Sequence, residues 1–148
     1  MKHKIVILLL LIIQFAQAQD RPPYIKVISA TTQDWISGAP GGRSGTTYNI
    51  KVDIQTGKPI TFKNMWLGKQ QVTFDVQTYF TDPNKKPAKG DSVLLVYVKP
   101  HAVQTENIDN KPLPIEYKGE ALVEYLIEGQ LRYFIVKKFS KLEIFKGR

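Results

Sequence analysis

Residues 37–46 read Ser-Gly-Ala-Pro-Gly-Gly-Arg-Ser-Gly-Thr, the most unusual local composition in the chain. Backbone N–H groups freed by successive glycines can form an anion-binding nest, and Arg43 would complete one. A nucleotide-binding loop would need GxxxxGK[ST] leading into a helix whose N-terminus meets the phosphate. Here Gly38 to Ser44 is one residue short, carries arginine in place of lysine, and runs into an alternating strand pattern. Ser44 stands in Gly-Arg-Ser-Gly, which is not the GxSxG of a nucleophile elbow. The expected role is a turn or a corner between sheets, with a share in a binding surface as the second reading.

Other chemistry-bearing residues are sparse. Once an export signal is removed, His101 is the only histidine, so a Ser-His-Asp arrangement would have to use it. No serine in a suitable context accompanies it, and one imidazole cannot make a histidine-rich zinc site. Glu116, Glu120, Glu124 and Glu128 recur every four residues. On a strand such neighbours stand about 13 Å apart, too far for paired-carboxylate glycosidase work. They are expected on a solvated face. No calcium-loop pattern is present, and no metal or cofactor is expected.

Aromatic residues supply the remaining hint. Trp35 adjoins the glycine loop, with Trp66 and Tyr79 as possible companions and Tyr48 just beyond the loop. Exposed tryptophan and tyrosine can stack on sugar rings or anchor a protein partner, because they present rigid apolar area with a polar tip. The competing reading is burial in a core, where sheets normally place large aromatics. The binding residues singled out are Trp35, Arg43, Tyr48 and Trp66.

The elements that would position these residues are strands. Tyr48, Ile50, Val52 and Ile54 alternate with polar residues at the period of two that marks a half-buried strand. Ile60, Phe62 and Trp66 continue such a face around Asn64, and Val72, Phe74, Val76 and Phe80 form another. Ala121, Val123, Tyr125 and Ile127 make a fourth, with glutamates on its reverse. Residues 92–98 are apolar on both faces and read as a strand at the centre of the core. Strands are expected near 24–31, 47–55, 60–67, 70–80, 91–99, 102–107, 115–117, 120–128, 130–138 and 141–145. Glu128-Gly129 can form a tight hairpin that faces Val123 with Phe134, Tyr125 with Arg132 and Glu120 with Lys137. Short strands at this spacing imply an all-β, antiparallel two-sheet sandwich of immunoglobulin-like type, without a disulfide.

The first eighteen residues address the protein. Lys2, His3 and Lys4 precede the apolar run Ile5 to Ile13, and Ala16-Gln17-Ala18 is a small-x-small cleavage site. That is a bacterial secretory signal, too short to span a bilayer. Cleavage after Ala18 would leave residues 19–148 as a single β-sandwich domain, periplasmic or extracellular, with no transmembrane segment. The chain has no cysteine, which removes disulfides, thiolate sites, cysteine nucleophiles and a lipoprotein anchor. Of 21 basic residues the signal removes Lys2 and Lys4, leaving a surplus over the 13 acidic ones. Basic residues crowd the stretch from Arg132 onward, where lysines protecting edge strands are the favoured reading. Nucleic acid is not an expected partner, since no recognition helix or matching motif is present.

Two blocks carry a resemblance. Trp35 to Tyr48 fits W-x-x-G-x-x-G-G-x-S-G-T-x-Y, and Tyr117 to Tyr125 fits Y-x-G-x-A-L-x-E-Y. Both resemble blocks in small secreted β-sandwich proteins of Gram-negative bacteria that carry no assigned activity. The resemblance implies the fold and the location, and supplies no catalytic residues. The expectation is an exported, non-enzymatic interaction or accessory module of the cell envelope, meeting an envelope protein. The alternative is a carbohydrate-binding module with Trp35 and Trp66 as stacking platforms. A small hydrolase is the least supported reading, because the sequence shows no nucleophile–base pair.

Overall fold

A computed structural model describes residues 24–78, 84–101 and 111–147. The strands are β1 (Ile25–Ile36), β2 (Ser44–Ile54), β3 (Ile60–Leu67), β4 (Gln70–Val72), β5 (Asp75–Thr78), β6 (Ser92–Pro100), β7 (Ala121–Ile127), β8 (Gln130–Val136), β9 (Ser140–Lys141) and β10 (Phe145–Lys146). The expected signal at residues 1–18, the expected strand at 102–107, and Tyr79 and Phe80 lie outside the described residues.

The chain forms two packed sheets. One is ordered β10-β1-β2-β6-β5 with β9 also on β1, and the other β4-β3-β7-β8. All pairings are antiparallel except those of β9 and β10 with β1. Lettered along the chain, with β4 as C′, the sheets read A-B-E-D and C′-C-F-G, the immunoglobulin-like arrangement. No disulfide joins them. Ile50 and Val52 of β2 and Val123 and Tyr125 of β7 belong to one buried apolar cluster instead.

Alternation placed the core as its period requires. Ile50, Val52 and Ile54 face inward, as do Val93 and Leu95 and the odd residues of β7. The hairpin register is the expected one, with Val123 opposite Phe134 and Tyr125 opposite Arg132. Glu128 (φ 49°) and Gly129 (φ 74°) both take positive φ, the pattern of a type I′ turn. Glu120 and Lys137, expected to face each other at the far end, do not form a pair. The Glu120 carboxylate accepts the Phe139 N–H at 2.5 Å, where the chain leaves β8 for the first sheet. Phe139 itself is buried in the core.

Four expectations need correction. The strand expected over 70–80 breaks after Val72, and β4 and β5 belong to different sheets. Residues 115–117 are not a strand. The strand expected at 141–145 is two short pieces. Residues 92–98 lie mid-sheet but are not buried on both faces: Val93 and Leu95 are buried, Leu94 and Val96 half-buried, and Val98 is 48% exposed. Two β-bulges, between Val27 and Ser29 and between Phe62 and Asn64, shift register within their strands. Such a bulge moves every later side chain to the other face.

Candidate functional site

The glycine loop is the hairpin connection between β1 and β2, two neighbours in one sheet, and so not a corner between sheets. Gly42 N–H donates to Ala39 O at 2.8 Å with Pro40 and Gly41 between, and Gly41 has φ 72°. This is a type II turn, with proline first and a positive-φ glycine second. Ser37 N–H donates to Arg43 O at 2.9 Å, and Ala39 N–H contacts Ser37 Oγ at 3.4 Å. These internal bonds use donors an anion nest would need. Arg43 is exposed at the end of the loop.

The expected binding residues do not converge. Trp35 lies half-buried on the outer face of the first sheet, opposite Gly45. Tyr48 lies on the inner face of the same sheet, packed against Tyr97 (ring centroids 5.7 Å) and edge-on to Phe139 (5.3 Å). Trp66 is 1% exposed. The bulge in β3 puts it with Asn64 opposite Leu122 and Glu124 on the outer face of the second sheet. Residues 111–120 run over that face: the Trp66 indole donates to Lys111 O at 3.2 Å, and the Tyr117 hydroxyl to Gly68 O at 2.6 Å. Burial raises the Tyr117 pKa, and the Gly68 carbonyl only partly offsets this. A buried indole offers no ring face to a sugar, so Trp66 is structural.

Glu124 also departs from its expected solvated face, being 6% exposed. Its carboxylate accepts Asn64 Nδ2 at 2.6 Å, and Asn64 Oδ1 accepts Gln71 Nε2 at 2.9 Å. Gln71 Oε1 accepts Lys111 N–H at 2.9 Å. From the other side Tyr133 contacts Glu124, and burial together with that carboxylate raises the tyrosine pKa. A polar row thus crosses all four strands of the second sheet. No buried side-chain polar atom is unpartnered among the described residues.

Around Trp35 a hollow of about 350 Å³ is lined by Gln33, Trp35, Thr47, Val98 and Phe145, with the Ile36–Ser37 turn and Gly147 at its rim. β10 brings Phe145 beside Trp35. Gln33 Nε2 is held by Glu143 O at 3.0 Å. Val98 (48%), Ile36 (47%) and Phe145 (60%) are exposed, and Leu94 and Val96 extend the apolar strip along β6.

On the opposite face of β1 and β2 a second group assembles. Thr46 Oγ1 donates to Asp34 Oδ1 at 2.7 Å and lies 3.0 Å from His101 Nε2, while Ser44 Oγ lies 3.3 Å from Nδ1. Thr46 gives its one proton to Asp34, so His101 Nε2–H donates to Thr46, and in the neutral ring Nδ1 is then the acceptor facing Ser44. Lys141 Nζ sits 3.0 Å from Asp34 Oδ2. The Thr46 hydroxyl, then Lys141, hold the Asp34 carboxyl below the usual carboxylate range.

A serine therefore does reach the histidine, contrary to the sequence reading. Asp34 and Thr46, which that reading missed, become neighbours once the β1–β2 register is known. Nothing in the sequence places His101 beside them, since that needs the β2–β6 pairing. Among the described residues no group of three or more metal-ligating side chains forms, and no helix is long and apolar enough to cross a membrane. No protein-family model, curated protein or solved structure matches the chain.

Proposed function

We propose that this chain is an exported, non-enzymatic interaction module of the cell envelope that meets a partner protein through the outer face of its first sheet. Export rests on the basic, apolar and small-residue layout of residues 1–18. The interaction reading rests on one observation: an apolar strip from Leu94 through Val96 and Val98 to Trp35 and Phe145 lies open on a sheet face. Contiguous exposed apolar surface with a polar border marks interaction sites. Catalysis at Ser44 is disfavoured because a substrate pocket and oxyanion donors must accompany a serine–imidazole contact. The hollow opens on the other face, and the Gly42 and Ser37 N–H groups are engaged within the loop.

A photo-crosslinking residue placed at Val98 or Phe145 of the tagged protein in intact cells should trap the same partner. The same residue at Lys118, over the other sheet, should not. Equal trapping from all three positions would remove this face as the site.

A specific observation also favours the carbohydrate reading. The hollow sets two aromatic rings, Trp35 and Phe145, beside the polar side chains of Gln33, Ser37 and Thr47. Stacking rings with hydrogen-bonding groups alongside suit a saccharide. Trp66 is buried, so a fluorescence shift on titration with envelope polysaccharides would report Trp35 and vanish in Trp35→Ala. No shift across a broad panel would leave the protein partner as the reading.

A further inference from the structure

The edges of the two sheets are not alike. The first sheet ends on β5, of four residues, and on β9 and β10, of two residues each. The second ends on β4, of three residues, and on β8, of seven. Proteins blunt exposed edges with short strands, bulges, prolines or outward lysines, because unpaired backbone groups template another strand. β8 is neither short nor bulged and carries no proline or lysine, so of the protective features only an inward-pointing charge is present. Gln130–Val136 pairs with β7 at every position without a register shift and contains no lysine, proline or glycine. Its one charge, Arg132, turns to the inner face, with its guanidinium carbon 5.5 Å from the centre of the Tyr24 ring. Among the described residues no strand pairs with its far side.

Strand parity determines what that edge offers. The two-residue turn makes Ile127 and Gln130 a hydrogen-bonded pair. Alternate residues from Gln130 therefore direct their N–H and C=O groups to β7, and Leu131, Tyr133 and Ile135 direct theirs away from the sheet. The side chains of the same three residues share the outer face, where Leu131 is 54% and Ile135 40% exposed.

We infer that β8 is the pairing edge of a homodimer, in which two copies join β8 to β8 antiparallel about a two-fold axis at Tyr133. This register is self-complementary, as a two-fold interface requires. Leu131 meets Ile135 of the second copy, Tyr133 meets Tyr133, and each of these facing pairs exchanges both backbone bonds. On the inner face Arg132 meets Phe134 and Gln130 meets Val136. No like charges face each other, a condition that strand pairing needs. The two second sheets become one eight-stranded sheet, and the open face around Trp35 on the first sheet stays free.

The absence of cysteine makes the test direct. Hydrogen-bonded antiparallel pairs hold their Cα atoms about 5.5 Å apart, within disulfide reach. In the purified protein, mild oxidation should crosslink Tyr133→Cys to itself and Leu131→Cys to Ile135→Cys, but not Leu131→Cys to itself. In sedimentation velocity the parent protein should show a dimer that dissociates on dilution. Leu131→Lys should be monomeric with an unchanged circular dichroism spectrum, and Leu131→Lys with Ile135→Glu should recover the dimer. If Leu131→Lys fails to fold, the crosslinking pattern decides. A parent protein monomeric at every concentration, a strand of another protein held on β8, or equal self-crosslinking at 131 and 133 would overturn the homodimer.

Discussion

The indole of Trp35 lies against its cross-strand neighbour Gly45 so closely that a Cβ there would sit 2.7 Å from Trp35 Cζ2 and 2.6 Å from the Lys99 carbonyl oxygen. Glycine at 45 is thus what lets the ring lie flat beside the hollow. Gly45→Ala should displace the ring and cost about 1–3 kcal/mol, as overpacking does. Chemical denaturation would measure the loss, and altered tryptophan emission would show that Trp35 had moved.

The two tryptophans should separate in stability. Trp66 is buried under residues 111–120, so Trp66→Ala should cost about 3–5 kcal/mol. Trp35→Ala should cost clearly less, because the indole is only half-buried. Urea midpoints of the two variants would show the ranking; equal losses would mean Trp35 is as structural as Trp66.

Asn64 donates to the buried Glu124 carboxylate at 2.6 Å. Asn64→Asp replaces that donor with a second carboxylate, and two such groups at this distance cannot both ionise readily. The variant should be strongly destabilised at neutral pH and should recover as acid protonates one of the pair, the reverse of ordinary acid denaturation. Urea midpoints at pH 4.5 and 7.5 would read the sign. Asn64→Leu removes the donor without adding a charge, so its recovery in acid should have the same sign and be smaller.

Asp34 should contribute to acid sensitivity in the usual direction. Its carboxyl is held below the ordinary range by Thr46 and then Lys141. A group whose native pKa lies below its unfolded value stabilises fully above the unfolded value, near 4, and loses that contribution as pH falls through the native value. Asp34→Asn should therefore be less stable than the parent at neutral pH and converge with it as pH falls through the lowered native value. Asp34 is half-buried and its Lys141 partner is exposed to screening solvent, so the difference should be small. Melting temperatures across pH 2.5–7 would measure it; no convergence would mean that the Asp34 charge is not involved.

Alternation gives most of the strands and the inward faces of β2 and β7, and a turn gives one hairpin. Ile50, Val52 and Ile54 had to share a face because successive side chains on a strand point opposite ways. The pair Glu128-Gly129 sets the register of β7 and β8, since a two-residue turn leaves one way to pair what flanks it. Local geometry carries both results, and local geometry is what a sequence spells out.

Relations across strands remote in the chain come from pairing alone. One bulge at Lys63 moves Trp66 from the face of Ile60 and Phe62 to the opposite one, and no residue type announced it. The break after Val72 carries the chain to the other sheet, and the return after β8 brings Phe145 beside Trp35. Ser44, Thr46 and His101 meet because β6 pairs with β2. The separation of Trp35, Tyr48 and Trp66 onto three different faces follows from the same cause. Period two tells which residues of one strand go together, while pairing between strands and the bulges within them decide which strands meet and which faces align.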